Sequence, residues 1–170
     1  MRIFKEEQRF TQPWLIIVLA ISFLVVVSLI LKEYISEDSE MRAVEVVTTI
    51  ATFLAAILPI FFLKLKTRID EIGIHYQFSP LHLKKRTITW SELKSAETRK
   101  YDAISEYGGW GIKGGFLWKK SKGVAYNVSG DIGIQLDLKN GKKILIGTKL
   151  LNEANSVLNN YKEKIHTDEN

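Results

Sequence analysis

Two long apolar runs dominate the first third of the chain. Residues 13–31 (PWLIIVLAISFLVVVSLIL) contain no charged residue, and neither do residues 46–63 (VVTTIATFLAAILPIFFL). An α-helix rises about 1.5 Å per residue, so each run is about long enough to cross a hydrocarbon core of roughly 30 Å. A soluble chain of 170 residues could hardly bury two such helices and keep a separate core. The pattern predicts two transmembrane helices, over about 13–32 and 46–63.

Charged residues are distributed unequally around the two runs. Basic residues precede the first run and follow the second, whereas residues 33–45 between them carry five acidic residues and one arginine. Because Lys and Arg are retained on the cytoplasmic side of membranes, both termini are expected there. The first run is followed by Lys32 and Glu33 rather than by the small residues of a signal cleavage site. The pattern predicts a multi-pass protein of the cell inner (plasma) membrane.

Beyond the second run, apolar residues alternate with polar ones in short segments. Period-two alternation is typical of half-buried β-strands. The segments expected to form strands are residues 72–78, 84–90, 123–128, 132–138 and 143–147, with the polar segment 94–100 as a possible edge strand. Asn140-Gly141 suits a two-residue turn with positive φ at both positions, which would pair 132–138 with 143–147 as an antiparallel hairpin.

A C-terminal helix completes the predicted fold. Apolar residues recur at helical spacing over residues 150–164. Consecutive antiparallel strands followed by one helix define an α+β module, a curved sheet or small barrel capped by that helix. The chain is therefore expected to be an α+β membrane protein in three parts. These are a transmembrane helical hairpin (1–66), a cytoplasmic domain (67–164) and a frayed tail (165–170).

Three stretches resemble an uncharacterised family of small bacterial membrane proteins. They are residues 101–115 (YDAISEYGGWGIKGG), residues 122–148 (KGVAYNVSGDIGIQLDLKNGKKILIGT) and the final helix. Proteins of this kind carry a pleckstrin-homology-like (PH-like) domain after a two-helix transmembrane hairpin. The resemblance covers about residues 70–162 and the hairpin. It implies a PH-like sheet or barrel and the membrane topology, and it says little about activity.

The positive charge lies entirely beyond the second apolar run. Residues 64–170 hold 19 Lys and Arg against 12 Asp and Glu, whereas the whole chain has a net charge of +5. A basic module beside an anionic inner leaflet gains about 1 kcal/mol for each Lys or Arg near the surface, which accounts for the charge without nucleic acid. The chain has no cysteine, which excludes disulfides, thiol nucleophiles and thiolate metal sites.

A glycine-rich segment, residues 108–115, contains the pattern G-x-G-x-x-G at Gly109, Gly111 and Gly114. A dinucleotide site needs that pattern between a strand and a helix of a βαβ unit, whereas strand-forming residues follow it here. Two interpretations remain: a sheet corner in which the backbone bends, or a lip that faces a partner or lipid. For the lip, the candidate surface consists of Trp110, Lys113, Phe116, Trp118, Lys119, Lys120 and Lys122.

A second basic cluster, Lys84, Lys85 and Arg86, follows the first predicted strand. It either forms a solvated turn or contributes to a surface for anionic lipid headgroups. The resemblance implies the second role, because phosphoinositide sites of eukaryotic PH domains use basic residues around the first hairpin.

Catalytic and metal-binding patterns are weak throughout the chain. His75, His82 and His166 lack the spacing of metal ligands. Asp102 and Glu106 could act as a pair in acid-base chemistry, but a solvated loop explains them more simply. No catalytic residue, cofactor or metal site is predicted, and the chain is not expected to be an enzyme.

These patterns predict a membrane-anchored, PH-like binding or adaptor module that presents a basic domain at the cytoplasmic membrane surface. Its expected partners are the membrane itself, anionic lipid headgroups, an unidentified protein or further copies of the chain. The alternative is an oligomeric transport or channel component with the PH-like domain as a cytoplasmic gate. Within the spans, the polar residues that could line a path are Ser22, Ser28, Thr48, Thr49 and Thr52.

Overall fold

The computed structural model describes residues 2–37, 39–114 and 123–166. The chain divides into two compact units, one made of Phe10–Phe62 and the other of Met1–Arg9 together with Leu63–Asn170. The first unit contains the helices α1 (Pro13–Ile35), α2 (Ala43–Ile57) and α3 (Pro59–Phe62). The elements of the second unit are β1 (Phe4–Arg9), β2 (Lys64–Ile69), β3 (Gly73–Ser79), β4 (Arg86–Thr89), β5 (Leu93–Lys100), α4 (Ala103–Tyr107), β6 (Gly111–Gly114), β7 (Val124–Asn127), β8 (Ile132–Leu138), β9 (Lys143–Gly147) and α5 (Leu151–His166).

The helical unit confirms the two apolar helices. Pro13–Ile35 and Ala43–Phe62 are long and apolar enough to cross a membrane, and α1, α2 and α3 contain no buried residue. The rings of Phe23 and Phe53 lie 6.2 Å apart between centroids, which joins α1 to α2. Apolar side chains that face outward all round a helix are typical of a lipid environment.

The first sheet has four antiparallel strands in the order β1-β2-β3-β4. β3 and β4 confirm two predicted strands, whereas β1 and β2 are additions that the sequence pattern does not predict. Alternation explains both added strands, because Phe4 of β1 and Leu65 and Ile69 of β2 enter the core. The charged residues between them make these short segments look polar in the sequence.

β1 lies before the first apolar helix and β2 lies after the second, yet the two strands are paired neighbours. The pairing ends with Arg9 opposite Lys64. Residues 1–9 and 63–66 therefore belong to the unit that contains the sheets. The sequence predicts them as part of the helical hairpin instead, because their basic residues look like the cytoplasmic flanks of the two apolar runs.

Side-chain hydrogen bonds tie β1 to the end of β9. The Glu6 carboxylate accepts hydrogen bonds from the Thr148 hydroxyl (2.6 Å) and from the Lys149 backbone N–H (2.8 Å). Two residues further along β1, the buried Gln8 side chain donates to the Gly147 carbonyl at 2.8 Å. The N-terminal strand is thus held by contacts with the C-terminal part of the chain.

The second sheet has five strands in the order β5-β8-β9-β7-β6. The predicted strands 123–128, 132–138 and 143–147 are confirmed as β7, β8 and β9, and the polar segment forms the edge strand β5. β7 pairs with β9 in parallel, which makes the sheet mixed rather than purely antiparallel. The described strands form two sheets and no closed barrel, because the 3₁₀ turn Trp90–Glu92 separates β4 from β5.

β8 and β9 form the predicted antiparallel hairpin, but its turn differs from the prediction. The Leu138 N–H donates to the Lys142 carbonyl (2.9 Å), which leaves a three-residue loop. Only Gly141 in this loop has a positive φ, at 81°. The Asn140 side chain accepts a hydrogen bond from the Lys142 N–H (3.0 Å), which stabilises the longer loop over a two-residue turn.

The C-terminal helix α5 packs on the core through the apolar stripe that the sequence predicts. Tyr161 stacks on Trp90 with ring centroids 5.1 Å apart. The helix extends to His166 rather than ending at Lys164, because Ile165 continues the stripe and is only 4% exposed. The predicted frayed tail therefore begins too early, and residues 167–170 lie outside the described part of the chain.

We expect Glu6→Ala to lower the free energy of unfolding by about 1–3 kcal/mol, because the substitution leaves the buried Thr148 hydroxyl and the Lys149 N–H without their acceptor. The matched control is Glu7→Ala at the adjacent position, whose surface ion pairs contribute less than about 1 kcal/mol. Native-state hydrogen exchange of the β1 and β2 amides in detergent measures both effects. Equal amide protection in the two variants would contradict this role of Glu6.

Candidate functional site

One face of the first sheet is strongly basic, and we call it the basic face. In paired antiparallel strands, residues opposite one another project from the same side of the sheet. The residues of β1, β2 and β3 on this side are Lys5, Glu7, Arg9, Lys64, Lys66, Arg68, His75, Gln77 and Ser79. Five of them are Lys or Arg and one is an exposed acid, whereas the opposite side carries the apolar core.

A shallow groove of about 340 Å³ lies on the basic face. The residues that line it are Lys5, Glu6, Glu7, Lys66, Thr67, Arg68, His75, Gln77 and Lys85. Lys85 belongs to the predicted basic cluster and reaches the groove from the loop before β4. Four cationic residues thus line the groove against two acidic ones, and the Glu6 carboxylate is bonded to Thr148 and Lys149. This balance suits an anionic ligand such as a phosphate group.

The carboxylate of Glu7 does not neutralise the groove. It accepts two hydrogen bonds from the Arg9 guanidinium (2.7 and 2.9 Å) and lies 3.8 Å from Lys66 Nζ. The hydrogen bond from Arg9 lowers the pKa of Glu7, which is therefore ionised at neutral pH. Because Arg9 balances most of that charge, the groove keeps a net positive charge from its lysines.

A buried polar network occupies the β2–β3 turn at one end of the basic face. Asp70 accepts hydrogen bonds from Arg68 Nε (2.7 Å) and the Ile72 N–H (3.0 Å), and its carboxylate lies 3.0 Å from His75 Nε2. The other His75 nitrogen pairs with the Thr87 hydroxyl at 2.8 Å. Burial raises the pKa of Asp70, but the bonds from His75, the Ile72 backbone and Arg68 outweigh it and lower the pKa to about 2.

This network positions the groove. Asp70 holds the Arg68 guanidinium in place, and the Asp70 carbonyl accepts a hydrogen bond from Trp90 Nε1 (3.0 Å), which fixes the turn to the core. Both ring nitrogens of His75 have partners within the fold. The chemistry that the basic face supports is therefore electrostatic binding of an anion.

Residues 111–114 of the glycine-rich segment form an edge strand among the described strands of the second sheet. Gly111–Gly114 constitute β6, and the Gly111 N–H donates to the side chain of the buried Asn127 (2.9 Å). Trp110 packs partly buried against the core of the same sheet, and its Nε1 donates to the Gly130 carbonyl (3.3 Å). These contacts favour the sheet-corner interpretation of the segment.

The structure describes two of the seven residues of the predicted lip. Trp110 and Lys113 are both partly exposed at the start of β6 and within it. The other five lie outside the described residues: Phe116, Trp118, Lys119, Lys120 and Lys122.

The cluster Lys84, Lys85 and Arg86 divides between two environments. Lys84 and Lys85 are exposed in the loop before β4. Arg86 begins β4 and donates to the Tyr126 hydroxyl at 3.1 Å, so it links the first sheet to β7. Tyr126 lies opposite Ile112 of β6, the strand that also carries Lys113. One residue from each predicted basic cluster, Arg86 and Lys113, therefore lies on a strand that contacts β7.

Asp102 and Glu106 have structural partners in a short helix rather than in a solvated loop. The Asp102 carboxylate caps α4 by accepting hydrogen bonds from the Ile104 and Ser105 N–H groups, both at 2.9 Å. Glu106 forms a two-pronged ion pair with Arg99, at 2.9 and 3.1 Å. The two carboxylates are thus used for local stability.

Lys5, Lys66 and Arg68 are site residues that the sequence pattern does not predict as such. In the segment KLKTRI, cationic residues alternate with Leu65, Thr67 and Ile69, and this period of two is the signal that could have found the basic face. The same cations flank the apolar runs, where they indicate the cytoplasmic side of a membrane. Because they also account for the topology, the sequence does not reveal that they form a charged sheet face.

Comparison of the chain with protein-family models, with curated proteins and with solved structures finds no match. The PH-like resemblance therefore stays an expectation.

Asp70→Asn is expected to remove about 2 kcal/mol of stability at neutral pH, which corresponds to lowering the pKa from 3.8 to about 2. Because the folded-state pKa is the lower one, this stabilisation is complete above the unfolded-state pKa and is lost as the pH falls toward 2. As the pH falls over this range, the free energy of unfolding in detergent should decrease more for the wild type than for Asp70→Asn. The control is the exposed neighbour Glu71→Gln; the same change in pH dependence there would refute the assignment to Asp70.

Gly114→Ala and Gly141→Ala form a matched pair, because the two glycines have φ values of 89° and 81°. This backbone conformation costs an L-residue about 1–2 kcal/mol. Only at Gly114 would an added methyl group also overlap the Gly123 carbonyl oxygen, whereas the space around Gly141 is open. We expect Gly114→Ala to lose at least about 3 kcal/mol of stability and Gly141→Ala about 1–2 kcal/mol, measured by thermal unfolding. Equal losses would argue against the close approach of β6 to β7.

Proposed function

We propose that this chain is a membrane-anchored binding module of a bacterial inner membrane. Its helical hairpin spans the bilayer, its sheet unit lies at the cytoplasmic surface, and the basic face binds anionic lipid headgroups. The observation that carries the proposal is that the basic face begins in the two strands that flank the hairpin, β1 and β2.

The pairing of β1 with β2 supports a hairpin whose two ends lie on the same side of the membrane. Arg9 and Lys64 are opposite one another, and the Cα atoms of such pairs lie about 4.5–5.5 Å apart. A chain that leaves the sheet at Arg9 and returns at Lys64 crosses a bilayer an even number of times. Two crossings fit the two apolar helices, and the basic flanks favour the cytoplasmic side.

The length of chain between the sheet and the helices supports contact with headgroups. Arg9 precedes the first residue of α1 by four positions, and Lys64 follows the last residue of α3 by two. Short segments of chain therefore join this end of the basic face to the two apolar helices. Each Lys or Arg near an anionic leaflet gains about 1 kcal/mol.

A PH-like layout for the sheet unit is supported by its order of elements, two sheets followed by one C-terminal helix. The proposed role is binding rather than catalysis. Asp70 and His75, the titratable residues in the buried network at the groove, are already engaged in holding the turn and Arg68.

The channel alternative draws little support from the apolar helices. Each of their five predicted hydroxyl groups donates a hydrogen bond, at 2.7–3.1 Å, to a backbone carbonyl three or four residues earlier in the same helix. Hydroxyl groups satisfied in this way need neither a water-filled path nor a partner helix.

Lys5→Glu/Lys66→Glu/Lys85→Glu is expected to abolish a preference of the protein for anionic lipid. The full chain is reconstituted in bilayers of phosphatidylcholine and phosphatidylglycerol, and electron paramagnetic resonance measures its selectivity for spin-labelled phosphatidylglycerol over spin-labelled phosphatidylcholine. A contribution of about 1 kcal/mol for each basic residue is about fivefold in association. The wild type should therefore select the anionic lipid several-fold, and added salt should weaken the selectivity.

The matched control is Lys94→Glu/Lys139→Glu/Lys142→Glu, the same charge change at exposed positions of β5 and of the β8–β9 loop. We expect this variant to keep the selectivity of the wild type. Equal loss in both variants would assign the preference to overall charge rather than to the basic face. No preference in the wild type would overturn lipid binding.

A further inference from the structure

The loop between β3 and β4, residues 80–85, exposes two large apolar side chains. Leu81 is 63% exposed and Leu83 is 92% exposed. His82 between them is buried, its Nδ1 accepts a hydrogen bond from the Phe78 N–H (3.3 Å), and its ring lies against Tyr76. Because His82 is held inward, both neighbouring leucines face outward.

The backbone of this loop is fixed to the sheet. The His82 N–H donates to the Phe78 carbonyl at 2.8 Å. The Gln77 side chain donates to the His82 carbonyl at 2.9 Å and to the Leu83 carbonyl at 3.4 Å. The exposure of the two leucines is therefore a property of an ordered loop.

The loop leaves the sheet at the end to which the apolar helices are joined. Ser79, the last residue of β3, lies opposite Lys64, which follows the helical residue Phe62 by two positions. One strand pairing and two residues of chain therefore connect the start of the loop to the end of α3. The opposite end of the same sheet holds the β2–β3 turn, where Ile72 is 59% exposed.

Cationic residues follow the two leucines directly. Lys84 and Lys85 are exposed, and Lys85 also lines the groove of the basic face. Apolar side chains beside lysines suit the membrane interface, because the apolar groups enter the acyl boundary while the ammonium groups reach the phosphates. A lipid surface therefore fits this loop in both charge and position.

We propose that Leu81 and Leu83 insert into the boundary between headgroups and acyl chains of the bilayer that the helices span. The loop is then a third membrane contact, which holds the basic face against the headgroup phosphates. This inference rests on the membrane anchoring in the proposed function. It does not depend on a preference for anionic lipid, because insertion of leucine requires no negative charge.

The chain contains no cysteine, so single labelled cysteines can be introduced directly. A nitroxide is attached to Leu81→Cys or Leu83→Cys in the full chain, reconstituted in phosphatidylcholine bilayers. Power saturation then compares collisions with oxygen, which concentrates among acyl chains, and with a water-soluble nickel chelate. The matched control is Ile72→Cys at the opposite end of the sheet. We expect oxygen access to exceed nickel access at positions 81 and 83, and the reverse at position 72.

Two results at position 83 would overturn the inference. Nickel access equal to that at position 72 would place the loop in water. Low access to both reagents would show a protein contact, with another copy or another segment, in place of lipid.

A second measurement tests whether the leucines hold the loop. A label on Lys84→Cys should gain nickel access several-fold when Leu81→Ser/Leu83→Ser is added, with unchanged hydrogen exchange in β3. No gain would contradict the role of the leucines. If the leucines do not insert but selectivity for phosphatidylglycerol is intact, only the insertion of the loop is refuted. If they insert but that selectivity is absent, only the preference for anionic headgroups is refuted.

Discussion

The pairing of β1 with β2 is the constraint on which the rest of the structure depends. Two strands separated by the whole helical hairpin lie side by side, and Arg9 faces Lys64 at the end of their pairing. β3 pairs with β2 and β4 pairs with β3, so this pair places β1 beside the β2–β3 hairpin. The groove, which is lined by residues of all three strands, depends on that placement.

Alternation along these strands separates the core from the charge. In β2, Leu65 and Ile69 stabilise the sheet from one side while Lys66 and Arg68 build the basic face on the other. Lys85 is the part of this face that the sequence predicts as a lipid-facing residue. The remaining cations could be predicted only as topology signals, because a positive charge beside an apolar run looks the same whether it lies in a flank or in a strand.

The elements that the sequence predicts correctly carry a signal over many residues. The apolar helices, the β8–β9 hairpin and α5 are examples, since length, turn residues and helical periodicity each identify them. β1 and β2 are different, because each has three inward positions in six residues, and the two strands are separated by the whole helical hairpin. The β8–β9 loop is one residue longer than the predicted two-residue turn, and the Lys142 N–H donates a hydrogen bond to the Asn140 side chain in it. The Asn-Gly preference on which the prediction rests does not include this side-chain bond.

In the proposed topology, the order of synthesis separates the two strands that must pair. β1 emerges before the hairpin and has no partner until β2 has followed it from the ribosome. Insertion of both helices would bring the ends of the intervening segment together, which lowers the entropy cost of pairing β1 with β2. The first sheet would then be completed after the hairpin has entered the bilayer.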